Sequence, residues 1–282
     1  MTDAAIHRPD DDNHQVQPLG RAVTVFIVVS FGFSWLAWLP LVVDGPTTVM
    51  PWYFYLGSMG PALGAIVATL VLQQDGGPRS WARRTFSLVG TGQALAVVAA
   101  SLLAYVGVGL LVEQATSGSL AKVSSIGLTS QVPGASAVLV ALVWILTFGI
   151  GEETGWRGWL MPTLTGRFGY FTASLLVAGV WLGWHLPQFV FNTGFRNMGW
   201  ATIGWVVALV AGSFWLGWLA RLGRWSIVPV VLFHGGFDLL TSSDLGPAAF
   251  AGTASIMVMI QAAGVVAVLA VGRARAKVVG SA

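Results

Sequence analysis

Side chains that could carry hydrolytic chemistry occur late in this chain, inside otherwise apolar stretches. Ionisable groups at membrane depth are rare, face a cavity or one another, and mark function by default. Six of them on three such stretches are therefore predicted to form one shared site. They are Glu152, Glu153, Arg157, His185, His234 and Asp238.

Helical spacing gives the two adjacent glutamates different roles. Glu153 and Arg157 stand four residues apart, so on a helix they share a face and can pair. Glu152 is turned about 100° away and is left without this local partner. Burial disfavours the charged form of such a carboxylate, which favours its use as a general base. We therefore predict Glu152 as the base and Glu153 as the partner of Arg157.

The histidines have more than one interpretation. His234 and Asp238 are four residues apart, so one helix face presents an imidazole with a carboxylate beside it. His185 lies on a different stretch and has to be brought in by packing. Taken singly, His185 also suits a hydrogen-bonded packing residue, the glutamate–arginine motif suits a solvated helix end, and His234 with Asp238 suits a clamp between helices.

The composition indicates the elements that must position these residues. The chain has 282 residues, of which 55% are hydrophobic and only 9% charged, and its mean hydropathy is +0.76. This is too little polar surface for a water-soluble globule, so we predict an all-α polytopic transmembrane bundle. The absence of cysteine excludes disulfides, a thiol nucleophile and cysteine metal sites. A formal charge of +3, with scattered basic residues, argues against nucleic acid as a partner.

With about 20 residues per span as the ruler, the chain divides into eight apolar segments. Residues 1–21 are predicted as a disordered cytoplasmic tail, 22–272 as the bundle, and 273–282 as a basic cytoplasmic tail. The connections 73–93 and 113–136 are predicted as loops. The eight segments are 22–43, 52–72, 94–112, 137–160, 171–191, 199–219, 226–241 and 249–271.

The basic residues support this topology. Cytoplasmic loops carry an excess of Lys and Arg, and under the eight-span arrangement the other side holds only Lys122 and Arg196. Both termini are therefore predicted to be cytoplasmic. The basic residues on that side are Arg8, Arg21, Arg79, Arg83, Arg84, Arg157, Arg167, Arg221, Arg224, Arg273, Arg275 and Lys277.

Small residues and proline within the spans have structural interpretations. Glycines four residues apart allow close helix packing, which predicts tight contacts at Gly60 with Gly64 and at Gly179 with Gly183. Pro187 is predicted to kink its helix and so to open a cavity beside the site.

The motifs of other intramembrane enzymes are missing from this sequence. The chain has no HExxH of zinc proteases, no GxSG of rhomboid-type serine proteases and no GxGD of presenilin-type aspartyl proteases, and its four histidines are too few for the histidine boxes of a desaturase.

Three ordered motifs do occur, EExxxR at Glu152–Arg157, WxxxH at Trp181–His185 and HxxxD at His234–Asp238. Together they resemble the CPBP intramembrane protease family, also called the ABI family. That family includes type II CAAX prenyl endopeptidases and bacterial bacteriocin-processing or immunity proteins. The resemblance covers about residues 130–245.

The resemblance implies roles for the site residues. Glu152 with His185 would activate the attacking water, and His234 with Asp238 would stabilise the oxyanion of the tetrahedral intermediate. Glu153, Arg157 and Trp181 would support them. Two positions depart from the family's pattern. Trp181 stands where Phe is usual, and Asp238 stands where the prenyl-protein proteases carry Asn.

Cofactor, partner and location follow as expectations. No cofactor is required in our preferred interpretation. The alternative is one zinc ion held by Glu152, His185 and His234. The expected partners are the lipid bilayer and a membrane-anchored or lipidated protein or peptide substrate, and the expected location is a bacterial plasma membrane. Two other functions stay open, a scaffold or immunity protein without turnover and a proton-coupled transporter.

Overall fold

The structure, a computed structural model, describes residues 9–72, 77–118, 123–245 and 249–279. The regular elements within these ranges are helices, so the predicted all-α fold class is confirmed. The α-helices are α1 (Pro9–Asp44), α2 (Trp52–Gly57), α3 (Gly60–Leu72), α4 (Gly77–Thr85), α5 (Gly92–Ser117), α6 (Ala137–Trp144), α7 (Glu153–Gly155), α8 (Met161–Trp184), α9 (Gln188–Phe191), α10 (Thr193–Arg196), α11 (Ala201–Leu222), α12 (Val228–Ser242) and α13 (Ala249–Val279).

Six helical stretches of the described chain are long and apolar enough to cross a bilayer. The longest, Ala137–Trp184, has 48 residues, or about 72 Å of helix, more than twice the thickness of the hydrocarbon core. It bends at Gly169, whose φ of 74° and ψ of 166° are not helical, between the fourth and fifth predicted spans. The seventh predicted span is the shorter apolar helix α12. The chain is thus an integral membrane protein with a polytopic helical bundle.

The ends and connections differ from a simple arrangement of spans and loops. Helix α1 begins at Pro9 and α13 runs to Val279, so helix extends into both segments predicted as tails. Residues 1–8 and 280–282 of those tails lie outside the described residues, as do 73–76 and 119–122 of the predicted loops. The rest of the first loop contains the nine-residue helix α4, which is strongly amphipathic.

The predicted close packing occurs at one glycine pair and not at the other. A Cβ atom added at Gly60 would lie 2.5 Å from the carbonyl oxygen of Ser30, and one at Gly64 would lie 2.7 Å from that of Phe26. Helix α3 therefore lies directly on the backbone of α1. The prediction for the second pair is wrong, because a Cβ at Gly179 would meet nothing within 4 Å, and one at Gly183 would make only an ordinary contact.

Pro187 ends a helix rather than kinking one. Helix α8 stops at Trp184, and Pro187 is the N-cap residue of the short helix α9. Helix α9 is tied to the segment that follows α1, because the Thr47 N–H donates to the Phe191 carbonyl at 2.7 Å. The prediction of a kink is therefore wrong. The turn still carries His185, so the proline lies directly beside the site.

We predict that Gly60→Ala and Gly64→Ala each destabilise the protein by about 1–3 kcal/mol, because a methyl group there overpacks the α1–α3 contact. Gly179→Ala, in open space on α8, is the matched control and is expected to be neutral or slightly stabilising. Unfolding of the three variants in mixed detergent micelles, followed by circular dichroism, measures the difference. Equal stability of the three variants would contradict the proposed packing.

Candidate active site

The glutamate motif lies where the helical hydrogen bonding is irregular. The segments Ile145–Glu152 and Trp156–Leu160 are π-helical and flank the single α-helical turn α7. Such π-helical stretches are rare and frequently occur at functional sites. A neighbouring helix packs tightly here, since a Cβ at Gly155 would lie 2.5 Å from the Pro61 carbonyl oxygen. Two packed backbones therefore fix the position of the two glutamates.

The predicted pair between Glu153 and Arg157 is confirmed. Arg157 Nη1 donates to Glu153 Oε1 at 2.8 Å, and both side chains are completely buried. The same carboxylate oxygen lies 2.7 Å from Nδ1 of His234 on α12. That is an ion-pair distance, although the ring N–H is not aligned on the oxygen for a hydrogen bond. Glu153 thus connects the glutamate motif to helix α12, which carries His234.

Glu152 is held by two indole groups that the sequence did not lead us to expect. Its Oε2 atom accepts hydrogen bonds from Trp156 Nε1 at 3.3 Å and from Trp181 Nε1 at 2.9 Å. The residue is only 3% exposed. Both bonds use the same oxygen, so Oε1 has no hydrogen-bond donor among the described residues. One carboxylate oxygen is therefore anchored, and the other is available to a reactant.

His185 lies at the C-terminal end of α8, and its ring orientation is fixed. Its Nδ1 atom lies 2.8 Å from the carbonyl oxygen of Trp181. A carbonyl can only accept, so Nδ1 carries the proton and Nε2 keeps a lone pair. The ring is enclosed by Phe195, stacked at 6.0 Å, and Trp205, edge-on at 5.4 Å. Neither aromatic residue belongs to a motif, so the sequence offered no signal for them.

The third motif forms the more open side of the site. His234 Nε2 lies 3.5 Å from Asp238 Oδ2, as their spacing on one helix face predicts. The Asp238 side chain is 28% exposed, whereas that of His234 is 9% exposed. With Glu153 beside Nδ1, the imidazole has a carboxylate near each ring nitrogen.

Trp181 is the residue on which these contacts converge. Its indole N–H bonds Glu152, and the Arg157 guanidinium lies 4.4 Å from the centroid of its ring. The rings of His234 and His185 lie 5.5 and 5.7 Å from it. The sequence marked Trp181 as a supporting residue in the second motif, where it replaces Phe, but it did not indicate the contact with Glu152. A phenyl ring has no N–H, so this donor to Glu152 depends on the tryptophan.

The zinc alternative does not fit this arrangement. Within the described ranges, no three His, Asp or Glu side chains are grouped so that they could hold a metal ion. Glu152, His185 and His234 are therefore not grouped as a three-ligand set in the part of the chain that the structure describes.

Comparison with known proteins matches the segment that holds this site. Residues 134–240 match the Rce1-like family, described as type II CAAX prenyl endopeptidase Rce1-like. A curated relative, CAAX prenyl protease 2 of Methanococcus maripaludis, is 29% identical over 102 residues. That alignment covers 34% of this chain and 36% of the relative, so the chain matches about a third of the length of that protein. The resemblance indicated by the three motifs is thereby confirmed over this segment.

The buried pair leads to a stability prediction. Arg157→Met leaves Glu153 in the interior without its main counter-charge and is expected to cost about 3–5 kcal/mol. Adding Glu153→Gln removes the stranded charge, so Glu153→Gln/Arg157→Met is expected to be more stable than Arg157→Met alone. Unfolding of Arg157→Met, Glu153→Gln and the double variant in mixed micelles, compared with wild type, completes a double-mutant cycle. Purely additive losses would contradict the pairing.

Proposed function

We propose that this protein is an intramembrane endopeptidase that hydrolyses a peptide bond in a membrane-anchored or lipidated protein or peptide. One observation carries the proposal: a carboxylate, two imidazoles and a buried ion pair, from three apolar helices, converge around one tryptophan. The segment that supplies them matches a family of prenyl endopeptidases. A prenylated substrate, a bacterial plasma membrane and cytoplasmic termini are parts of the same proposal.

In the proposed mechanism, Glu152 is the general base. Its Oε2 atom is held by Trp156 and Trp181, so its Oε1 atom is free to accept a proton from water. His185 presents the lone pair of Nε2 and orients the same water. Proton transfer to a positioned carboxylate contributes about 10²- to 10⁴-fold to such a reaction. The resulting hydroxide attacks the carbonyl carbon and forms the tetrahedral intermediate.

His234 is proposed to stabilise the negative charge that develops on the carbonyl oxygen. Its Nε2 atom makes only a long contact of 3.5 Å to Asp238, so a nearby oxyanion can compete for this donor. Glu153, near Nδ1, keeps the ring in place. Asp238 then acts as an orienting acceptor, in the position where prenyl-protein proteases carry Asn. When the intermediate collapses, the proton on Glu152 passes to the leaving amine.

We propose that no metal ion takes part, since the side chains that could bind one are not grouped as a ligand set.

A proton relay is less well supported. Relay groups follow one another along a pore, whereas these groups surround a single point on Trp181. A scaffold without turnover would have no need for a carboxylate held with one free oxygen.

We predict that Glu152→Gln lowers cleavage at least about 100-fold, because an amide cannot accept the proton of water. The assay is cleavage of a fluorogenic prenylated CAAX peptide, and of a mixed membrane proteome, by purified protein in nanodiscs. Glu113→Gln is the matched control, since Glu113 is also buried but lies on α5, outside the site.

Three results would change the conclusion. If Glu152→Gln still cleaved the substrate, the assignment of Glu152 as the general base would be wrong. Zinc that copurifies with active protein and is lost together with activity on chelation would remove the metal-free mechanism. Absence of cleavage by folded wild type, with a proton flux in vesicles that Glu152→Gln alters, would favour a transporter.

We also predict that Trp181→Phe lowers kcat about tenfold and leaves KM nearly unchanged. The substitution keeps an aromatic ring but removes a hydrogen bond to a charged acceptor, a contact that contributes about 1.5–3 kcal/mol. Trp38→Phe is the matched control, because it removes a buried indole hydrogen bond to the Phe54 carbonyl instead. Equal kcat values for the two variants would show that Trp181 only packs. The melting temperatures of both variants check that they fold.

A further inference from the structure

A second feature lies away from the catalytic cluster, in a cleft of about 550 Å³. We call it the arginine cleft, defined by the three arginines Arg83, Arg84 and Arg224 and the three tryptophans Trp81, Trp159 and Trp225. None of the predicted catalytic residues lines it. Its volume falls within the range of small-molecule binding sites, about 300–1,000 Å³. It is therefore large enough for a polar head group.

The charge of the arginine cleft is positive and unbalanced. Neither Asp nor Glu lines it. Among the described residues, none of its three arginines forms an ion pair, and the one side-chain hydrogen bond they make is from Arg84 to the hydroxyl of Ser80 at 2.6 Å. By contrast, the fully buried Arg157 forms an ion pair with the carboxylate of Glu153. These guanidinium groups thus remain available for an anion.

The walls of the cleft are fixed to one another by hydrogen bonds between distant segments. Trp81 Nε1 on α4 donates to the Gly158 carbonyl at 2.9 Å. The Ile227 N–H, in the turn before α12, donates to the Thr85 carbonyl at the end of α4, also at 2.9 Å. The cleft is therefore built from three segments that hold one another, and its walls do not depend on a ligand.

The turn that carries Arg224 is strained. Arg224 and Trp225 have φ angles of 57° and 65°, so two consecutive non-glycine residues are left-handed, which is unfavourable for both. The Trp225 N–H donates to the Ala220 carbonyl at 2.6 Å and holds the turn. Both side chains line the cleft as a result. Strain of this kind is concentrated at ligand-binding and functional sites.

The order and length of the helices place the cleft at the surface of the membrane. Helix α4 is too short to span and connects two spans, so it occupies the interface between water and lipid. Directly after it the chain exposes apolar side chains, with Leu88 67% and Val89 74% accessible. A ligand with a charged head and acyl chains can place the head at the arginines and the chains against these residues.

We propose that the arginine cleft binds the phosphate group of an anionic phospholipid of the surrounding membrane. Guanidinium groups bind phosphate oxygens in a bidentate manner, and basic pockets between transmembrane helices bind anionic head groups. Tryptophan is enriched at the same depth of the bilayer. The site is independent of the proposed peptidase activity, and its test does not require turnover.

In the test, short-chain phosphatidylglycerol is titrated into delipidated full-length protein in detergent. Calorimetry measures the affinity and the number of lipids bound per chain. Phosphatidylcholine with the same acyl chains and inorganic phosphate serve as comparison ligands. We expect saturable binding of about one phosphatidylglycerol per chain and weaker binding of both comparison ligands. Arg84→Gln is expected to weaken it about fivefold, and Arg83→Gln/Arg84→Gln about 25-fold, at about fivefold per arginine.

The matched control is Arg79→Gln, because Arg79 lies on the same helix but does not line the cleft. Its affinity should stay within about twofold of wild type. Arg83 and Arg84 are exposed, so their variants are expected to fold, and melting temperatures check this. An equal loss in Arg79→Gln would reduce the effect to the net charge of the protein and overturn the site. Equal affinity for both lipids would show that the cleft does not select an anionic head group and would overturn the proposal. Inorganic phosphate binding as tightly as the lipid would overturn the choice of ligand.

Discussion

The buried pair of Glu153 and Arg157 is the interaction on which the rest of the site depends. Two full charges with no exposed surface are stable only when each has a partner, because the interior of a membrane bundle solvates ions poorly. The carboxylate of Glu153 contacts both Arg157 and His234. The Arg157 guanidinium also lies over the ring of Trp181. The pair therefore draws α8 and α12 towards the glutamate motif.

The π-helical segments on either side of α7 explain how adjacent glutamates acquire different surroundings. Glu153 points towards α12 and its histidine, while Glu152 points towards the indoles of Trp156 and Trp181. One carboxylate is committed to an ion pair, and the other receives only neutral donors. This division suits a structural charge beside a reactive one. Pro61 packs closely on Gly155, the last residue of α7, the helical turn that begins at Glu153.

Buried and exposed arginines of this protein have different surroundings. Arg157 is fully buried and is compensated by a carboxylate and an aromatic face. Arg83, Arg84 and Arg224 lie at the surface in a cleft without carboxylates. Their charges are hydrated there, so no internal partner is required. The first kind of arginine organises the proposed chemistry, and the second suits contact with the membrane.

The sequence by itself determined the fold class, the presence of the apolar helices and the Glu153–Arg157 pair, because these depend on local composition and on i, i+4 spacing. It also marked the six residues of the site, since charges in apolar helices stand out. Only the tertiary structure decided which side chains reach one another across helices. The contact of Trp181 with Glu152, the contact of Glu153 with His234 and the open space at Gly179 depend on the angle and depth at which helices pack, which residue spacing within one helix does not encode.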